Sequence, residues 1–198
     1  MLDLSGLQDA DPLQLFDRWF AEAEQSEPND PNAAALATSS MDGVPSARMV
    51  LAKRVQEERF CFFTNANSLK GAQLRENPHA ALCFHWKSLR RQVRVQGAVS
   101  ELHPDAVDTY FYSRSRASQI GAAVSQQSRE LSSREVFERA VNEFAARHPD
   151  RIPRPDFWRG FRIEPEQIEF WADGAHRLHH RVLFVRENEA WSRTLLYP

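Results

Sequence analysis

Residues 46–70 read S-A-R-M-V-L-A-K-R-V-Q-E-E-R-F-C-F-F-T-N-A-N-S-L-K, and the architecture turns on them. The first part alternates. Arg48, Val50 and Ala52 fall on one face of a strand, and Met49, Leu51 and Lys53 on the other. A polar turn, Gln56-Glu57-Glu58, leads into the apolar run Phe60 to Phe63, which predicts a hairpin whose second strand ends at Thr64-Asn65. Asn67-Ser68 then supplies helix caps, with Lys70 in the first helical turn. A strand that runs into a capped helix start offers backbone N–H groups, hydroxyls and a cation together, which suits a phosphate. Arg48 and Lys53 add positive charge from the neighbouring strand. The same features also describe a solvated strand and an ordinary helix start.

Outward from that stretch, short strands dominate. Ala33 to Ala37 precedes it and ends at the turn Met41-Asp42-Gly43. Ala80 to Trp86 and Arg90 to Leu102 follow, after a helix stopped by Asn77-Pro78. Strands return at Gly160 to Ile163, Gln167 to Trp171, Arg181 to Arg186 and Trp191 to Leu196. Helices are expected from Asp11-Pro12 to about Glu24, from Pro104 to Ser113, and from Ser132-Ser133 to about Arg147. This pattern is mainly β with helices: a β-barrel or curled sheet with helical additions, not a βαβ fold. The division expected is one domain over 1–198, with a helical segment at 1–26 and a helical insertion at 104–148. No G-x-G-x-x-G is present, which argues against a Rossmann dinucleotide site.

The 198 residues are 42% hydrophobic and 26% charged, enough chain for a real core. A net charge of −2 and a pI near 6.4 argue against a general nucleic-acid binder. Yet residues 48–94 hold ten Lys/Arg against three acids, so the basic middle suits a small anionic ligand or a solvated sheet face. Cys61 and Cys83 sit in apolar runs and read as small core residues. His176, His179 and His180 have no carboxylate or thiolate nearby beyond Asp173, so no metal is expected. Met1-Leu2-Asp3-Leu4 shows no secretion signal, and no apolar run is long enough to span a membrane, so a cytoplasmic location is the expectation.

Seven motifs occur in order: R-M-V-L-A-K, F-F-T-N-x-x-S-x-K-G, R-R-Q-V-R-V-x-G, Y-F-x-S-R-x-R-x-S-Q-I-G, S-x-Q-S, I-E-F-W and R-L-H-x-R. Together the chain resembles the pyridoxine/pyridoxamine 5′-phosphate oxidase family from about Asp11 to Pro198. The resemblance implies an FMN-binding split β-barrel, a homodimer, and flavin sites at the subunit interface. It implies FMN contacts at Arg48, Met49, Val50, Leu51, Lys53, Phe63, Thr64, Lys70, Gln92, Gln127, Ser128, Trp171 and Arg181, some from the second subunit. It places the substrate phosphate on Lys53, Tyr110, Arg114 and Ser118, and assigns Arg177 and His179 to the reacting side of the substrate ring. Tyr110, Arg114 and Ser118 lie four apart, so on one helix they share a face.

The activity implied is oxidation of pyridoxamine or pyridoxine 5′-phosphate to pyridoxal 5′-phosphate, with dioxygen as acceptor and hydrogen peroxide as product. An oxidase of another substrate, such as a phenazine precursor, and a non-catalytic FMN or pyridoxal phosphate carrier are the alternatives. Four departures bear on them. Leu69 stands where the family usually has Arg, which predicts weaker FMN retention. His180 replaces the Asp of R-L-H-D-R, Ala123 replaces a Trp, and an Arg-Arg-x-Tyr arm is missing from the amino-terminal side.

Overall fold

The computed structural model describes residues 11–198. Residues 1–10, which include the expected leaderless start and the first part of the 1–26 segment, lie outside the described residues. Five helices and nine strands are present among the described residues: α1 (Pro12–Ser26), β1 (Ala33–Ser39), β2 (Pro45–Leu51), β3 (Lys53–Val55), β4 (Glu58–Asn65), α2 (Leu69–Glu76), β5 (His79–Trp86), β6 (Arg91–Glu101), α3 (Pro104–Ser113), α4 (Arg116–Val124), α5 (Arg134–Arg147), β7 (Trp158–Ala172), β8 (His180–Glu187) and β9 (Ala190–Leu196).

The strands pair in the order β2-β1-β5-β6-β7-β4-β3, all antiparallel along that path. β2 and β3 are one chain segment interrupted only at Ala52, so the order begins and ends on the same segment and closes into a barrel. This corrects the expected hairpin. Residues 45–51 pair back onto β1, with Arg48 opposite Leu36. Only Lys53 and Val55 pair forward, opposite Cys61 and Glu58, with a register shift between them. The alternation of residues 48–53 holds nonetheless: Arg48 and Val50 are half-buried and Met49 and Leu51 exposed.

β6 and β7 are the longest strands and form the spine. The two expected strands at 160–163 and 167–171 are one, because Pro165 and a bulge beside it bend β7 without ending it. Its first part pairs β4 on the edge away from β6, and its last part pairs β8, which carries β9. Gly97 faces the bulge, where a Cβ would overlap the Glu164 carbonyl.

Alternation fills the barrel with Leu36, Phe60, Phe62, Leu82, Phe84, Val93, Val95, Ile168 and Phe170. Helix α1 starts as expected: Asp11 accepts from the Leu13 N–H at 2.8 Å, and Pro12 takes the first helical position. Its stripe sets Phe16 edge-on to Phe60 at 4.8 Å and Trp19 edge-on to Phe170 at 5.1 Å. A second cluster, Val107, Phe111, Ile120, Ile152 and Trp158, joins the helices α3–α5 to the start of β7. No helix among the described residues is long and apolar enough to cross a membrane.

Candidate active site

Helix α2 begins where β4 ends, and the turn between them is tied down by its own side chains. The Asn67 N–H donates to Asn65 Oδ1 at 2.8 Å. Ser68 occupies the cap position, but its hydroxyl donates to the Asn65 carbonyl at 2.6 Å and does not cap the helix. The Leu69 N–H instead donates to Ser128 Oγ at 3.1 Å, across from the loop after α4. Gly71 lets the turn fold onto the helix, since a Cβ there would overlap the Ala66 carbonyl. Lys70 Nζ is thereby held between Thr64 Oγ1 at 3.0 Å, Gln127 Oε1 at 3.1 Å and Ser68 Oγ at 3.2 Å. All three partners are neutral, and burial followed by the charge of Arg48 pulls the Lys70 ammonium below its usual range.

These groups open onto a cleft of about 720 Å³ lined by Arg48, Met49, Val50, Leu51, Phe63, Thr64, Lys70 and Gln127 from the barrel side. Tyr110, Arg114, Ser118, Phe137 and Trp158 line it from the helical side. Its floor is aromatic: Phe63 stacks on Tyr110 at 4.0 Å and on Trp158 at 5.2 Å. Arg114 lies over Trp158 at 5.2 Å, with one guanidinium nitrogen buried and without a hydrogen-bond partner. Burial lowers the affinity of Arg114 for its proton, and likewise that of Arg48. Arg48 donates to Thr38 Oγ1 at 2.6 Å, again a neutral partner. Among the described residues, the cleft thus has three cations and no carboxylate in its lining.

The one-helix expectation for Tyr110, Arg114 and Ser118 is corrected. The chain leaves the helix at Arg114, which is extended, and Ser115 caps a new one through the Ser118 N–H. Tyr110 therefore sits on α3, Arg114 at the junction and Ser118 on α4, and the bend brings all three to the same cleft. Lys53 lies beside it, with Nζ 5.9 Å from the Tyr110 ring. Trp158 and Phe137 were not foreseen, because in sequence an aromatic before a strand or on a helix stripe looks like core.

Gln92, Trp171, Arg177, His179 and Arg181 do not line this cleft. They belong to a second group on the barrel's outer surface. Gln92, Trp171 and Arg181 are register neighbours across β6, β7 and β8. Arg181 donates to both oxygens of Glu169, at 2.8 and 3.1 Å, and Arg94 pairs with the same carboxylate. Trp171 packs against His179 with ring centres 4.7 Å apart. The outer face continues across β5, β1 and β2 through Cys83, Ala35 and Met49, which are register neighbours.

An antiparallel barrel with a cation-lined, aromatic-floored cleft and a second, separate polar group defines a class: split-barrel proteins whose cleft suits a small anionic ligand. The matches to known proteins narrow that class. Residues 20–148 match the model of the pyridoxamine 5′-phosphate oxidase family, and residues 158–198 match the pyridoxine 5′-phosphate oxidase C-terminal dimerisation region. The chain belongs to the pyridoxamine 5′-phosphate oxidase family. It is 56% identical over 189 residues to the pyridoxine/pyridoxamine 5′-phosphate oxidase of Sphingopyxis alaskensis, covering 95% of this chain and 88% of that protein. It is 53% identical over 201 residues to the corresponding enzyme of Rhodospirillum rubrum, covering 98% and 100%. Among solved structures, PhzG of Burkholderia lata in complex with tetrahydrophenazine-1-carboxylic acid superposes with a TM-score of 0.92 at 30% identity, over 100% of this chain and 98% of that one.

Proposed function

We propose that the chain is a flavin enzyme that oxidises pyridoxamine 5′-phosphate or pyridoxine 5′-phosphate to pyridoxal 5′-phosphate. One observation carries the reading: the cleft offers three cations, an orphaned buried guanidinium nitrogen and an aromatic floor, with no carboxylate among the described residues that line it. That donor set fits dianionic phosphates attached to flat rings, and charge-assisted bonds of this kind contribute about 1.5–3 kcal/mol each. The names of relatives more than half identical over nearly their whole length support the vitamer as substrate.

Arg48, Thr64, Lys70, Gln127 and Ser128 would hold the phosphate end of FMN, with Met49, Val50 and Leu51 along its ring. Tyr110, Arg114, Ser118 and Lys53 would hold the substrate phosphate. Gln92, Trp171 and Arg181 complete the flavin site from a second subunit, and Arg177 and His179 reach the substrate ring from there. FMN held there would supply two-electron oxidation at the 4′-carbon with dioxygen as acceptor and hydrogen peroxide as product; from the alcohol this gives the aldehyde directly, and from the amine water then hydrolyses the imine and ammonia leaves. The protein's part is to stack the two rings, exclude water and fix both phosphates. The working form is then a homodimer, and its two free cysteines suit the cytoplasm.

The test is peroxide release when pyridoxamine 5′-phosphate is added to FMN-loaded protein. Silence with both phosphorylated vitamers rejects the reading. The likeness to PhzG favours one second reading, a flavin oxidase of a tricyclic carboxylic acid. Flavin that is reduced anaerobically by such an acid, and not by either vitamer, would establish it. Flavin that stays oxidised with every candidate would instead mark a carrier.

A further inference from the structure

His179 sits at the end of a loop that leaves it little freedom. The His179 N–H donates to the Arg177 carbonyl at 2.9 Å and the Leu178 N–H to the Ala175 carbonyl at 3.0 Å. His176 and Arg177 both take left-handed backbone, at φ 57° and 65°. Gly174 lies so close that a Cβ would overlap the Leu178 carbonyl. The ring is further set by its packing on Trp171.

Two groups compete for one nitrogen of that ring. The Gly174 N–H donates to Nδ1 at 3.3 Å, and the Asp173 carboxylate lies at ion-pair distance, 3.1 Å, from the same atom. A neutral imidazole satisfies only one of them: with Nδ1 bare it accepts from Gly174, and with Nδ1 protonated it donates to Asp173. Asp173 is itself anchored. Its carboxylate pairs with Arg90 and its N–H donates to the Arg90 carbonyl at 3.0 Å. The other charged or titratable neighbours along the chain are His176, Arg177, His180 and Arg181, and Arg181 is turned to Glu169.

We propose that Asp173 is a positioning residue for His179: it holds the proton on Nδ1, so that Nε2 presents a lone pair to the substrate. A charge-assisted bond outweighs a backbone amide that is already stretched to 3.3 Å. The ring then accepts a hydrogen bond from a hydroxyl or amine on the substrate. With the other tautomer it would offer a second donor beside a donor. The role of His179 toward the vitamer rests on the function proposed above; the tautomer does not.

The experiment is a long-range proton–nitrogen correlation spectrum of histidine-labelled, FMN-loaded protein, assigned with His179→Gln. The wild type is expected to show the Nδ1–H form of neutral His179. Asp173→Ala is expected to convert it to the Nε2–H form, as Gly174 takes over Nδ1, and to lower kcat about tenfold with little change in KM. Asp173→Asn, whose Oδ1 still accepts, is expected to keep the Nδ1–H form and most of the rate. A wild-type Nε2–H form, or an Asp173→Ala spectrum identical to wild type, overturns the proposal. A wild type that turns over neither vitamer rejects the proposed function alone, and the spectra still decide the role of Asp173.

Discussion

Lys70 and Glu169 show opposite electrostatics at the level of single residues. Lys70 is a cation held by neutral oxygens, and its proton affinity is depressed by burial and by Arg48. A depressed ammonium means the folded chain binds that proton less tightly than the unfolded chain, so charged Lys70 opposes folding below its usual range and the cost fades as pH rises. Lys70→Met is therefore expected to leave the melting temperature of flavin-free protein no lower than wild type while weakening FMN binding about 10–100-fold. Arg114→Ala should leave flavin content intact and raise KM for the vitamer phosphate. Flavin titration and steady-state kinetics check the pair, and equal losses of flavin in both variants would contradict two separate phosphate positions. Glu169 is the reverse case. Burial pushes its carboxyl up, but hydrogen bonds from Arg181 and Arg94, with their charges, outweigh burial and hold it below the usual carboxylate range. Its stabilising contribution is present above the unfolded value near 4.3 and is lost as pH falls through the depressed folded one. Glu169→Gln is expected to cost about 1–2 kcal/mol at pH 7, moderated because Arg94 is partly exposed, and to flatten the acid side of the stability–pH curve. Urea unfolding at several pH values measures both.

Elements meet at two places where the backbone has no room to spare. The longer strands β6 and β7 stay paired past Pro165 only because the bulge takes up an extra residue opposite Gly97. Gly97→Ala would drive a methyl group into the Glu164 carbonyl, and the expected loss is about 1–3 kcal/mol by denaturant unfolding, without change of fold. The bulge was hidden in the sequence. Gly160 to Ile163 and Gln167 to Trp171 each look like a strand, and a proline between strands ordinarily signals a break. The junction at Arg114 was hidden for the opposite reason. Spacing of four predicts a shared helix face, but a serine at the next position has a hydroxyl that competes for the backbone and starts a second helix.

At the scale of the whole molecule, the two groups of proposed site residues do not share a cleft within one chain, and on the proposed function they would form one site only in an assembly. If subunits exchange them, Lys70→Ala and Arg181→Ala homodimers are each deficient. Mixed by co-refolding, they should form hybrids with one intact site. Random assortment puts half the dimers in that form, so recovery of about a quarter of wild-type flavin binding is expected. No recovery would place each flavin site within one subunit. A charge set into the continuous outer face, such as Ala35→Glu between Met49 and Cys83, should yield monomers by sedimentation and lower flavin affinity with them.

The sequence by itself determined the local things: the alternation of residues 48–53, the strand that ends at Thr64-Asn65, the helix carrying Lys70, and the cation, amide and hydroxyl types collected in ordered motifs. Period, cap and turn chemistry act over a few residues, so they are written in neighbouring letters. Which strand Arg48 pairs with, how a segment bent at Ala52 closes the barrel, and which nitrogen of His179 faces Asp173 were decided only by the tertiary structure. Those depend on residues far apart in the chain being packed together, where the competition for buried volume and for hydrogen-bond partners is settled by the whole core at once.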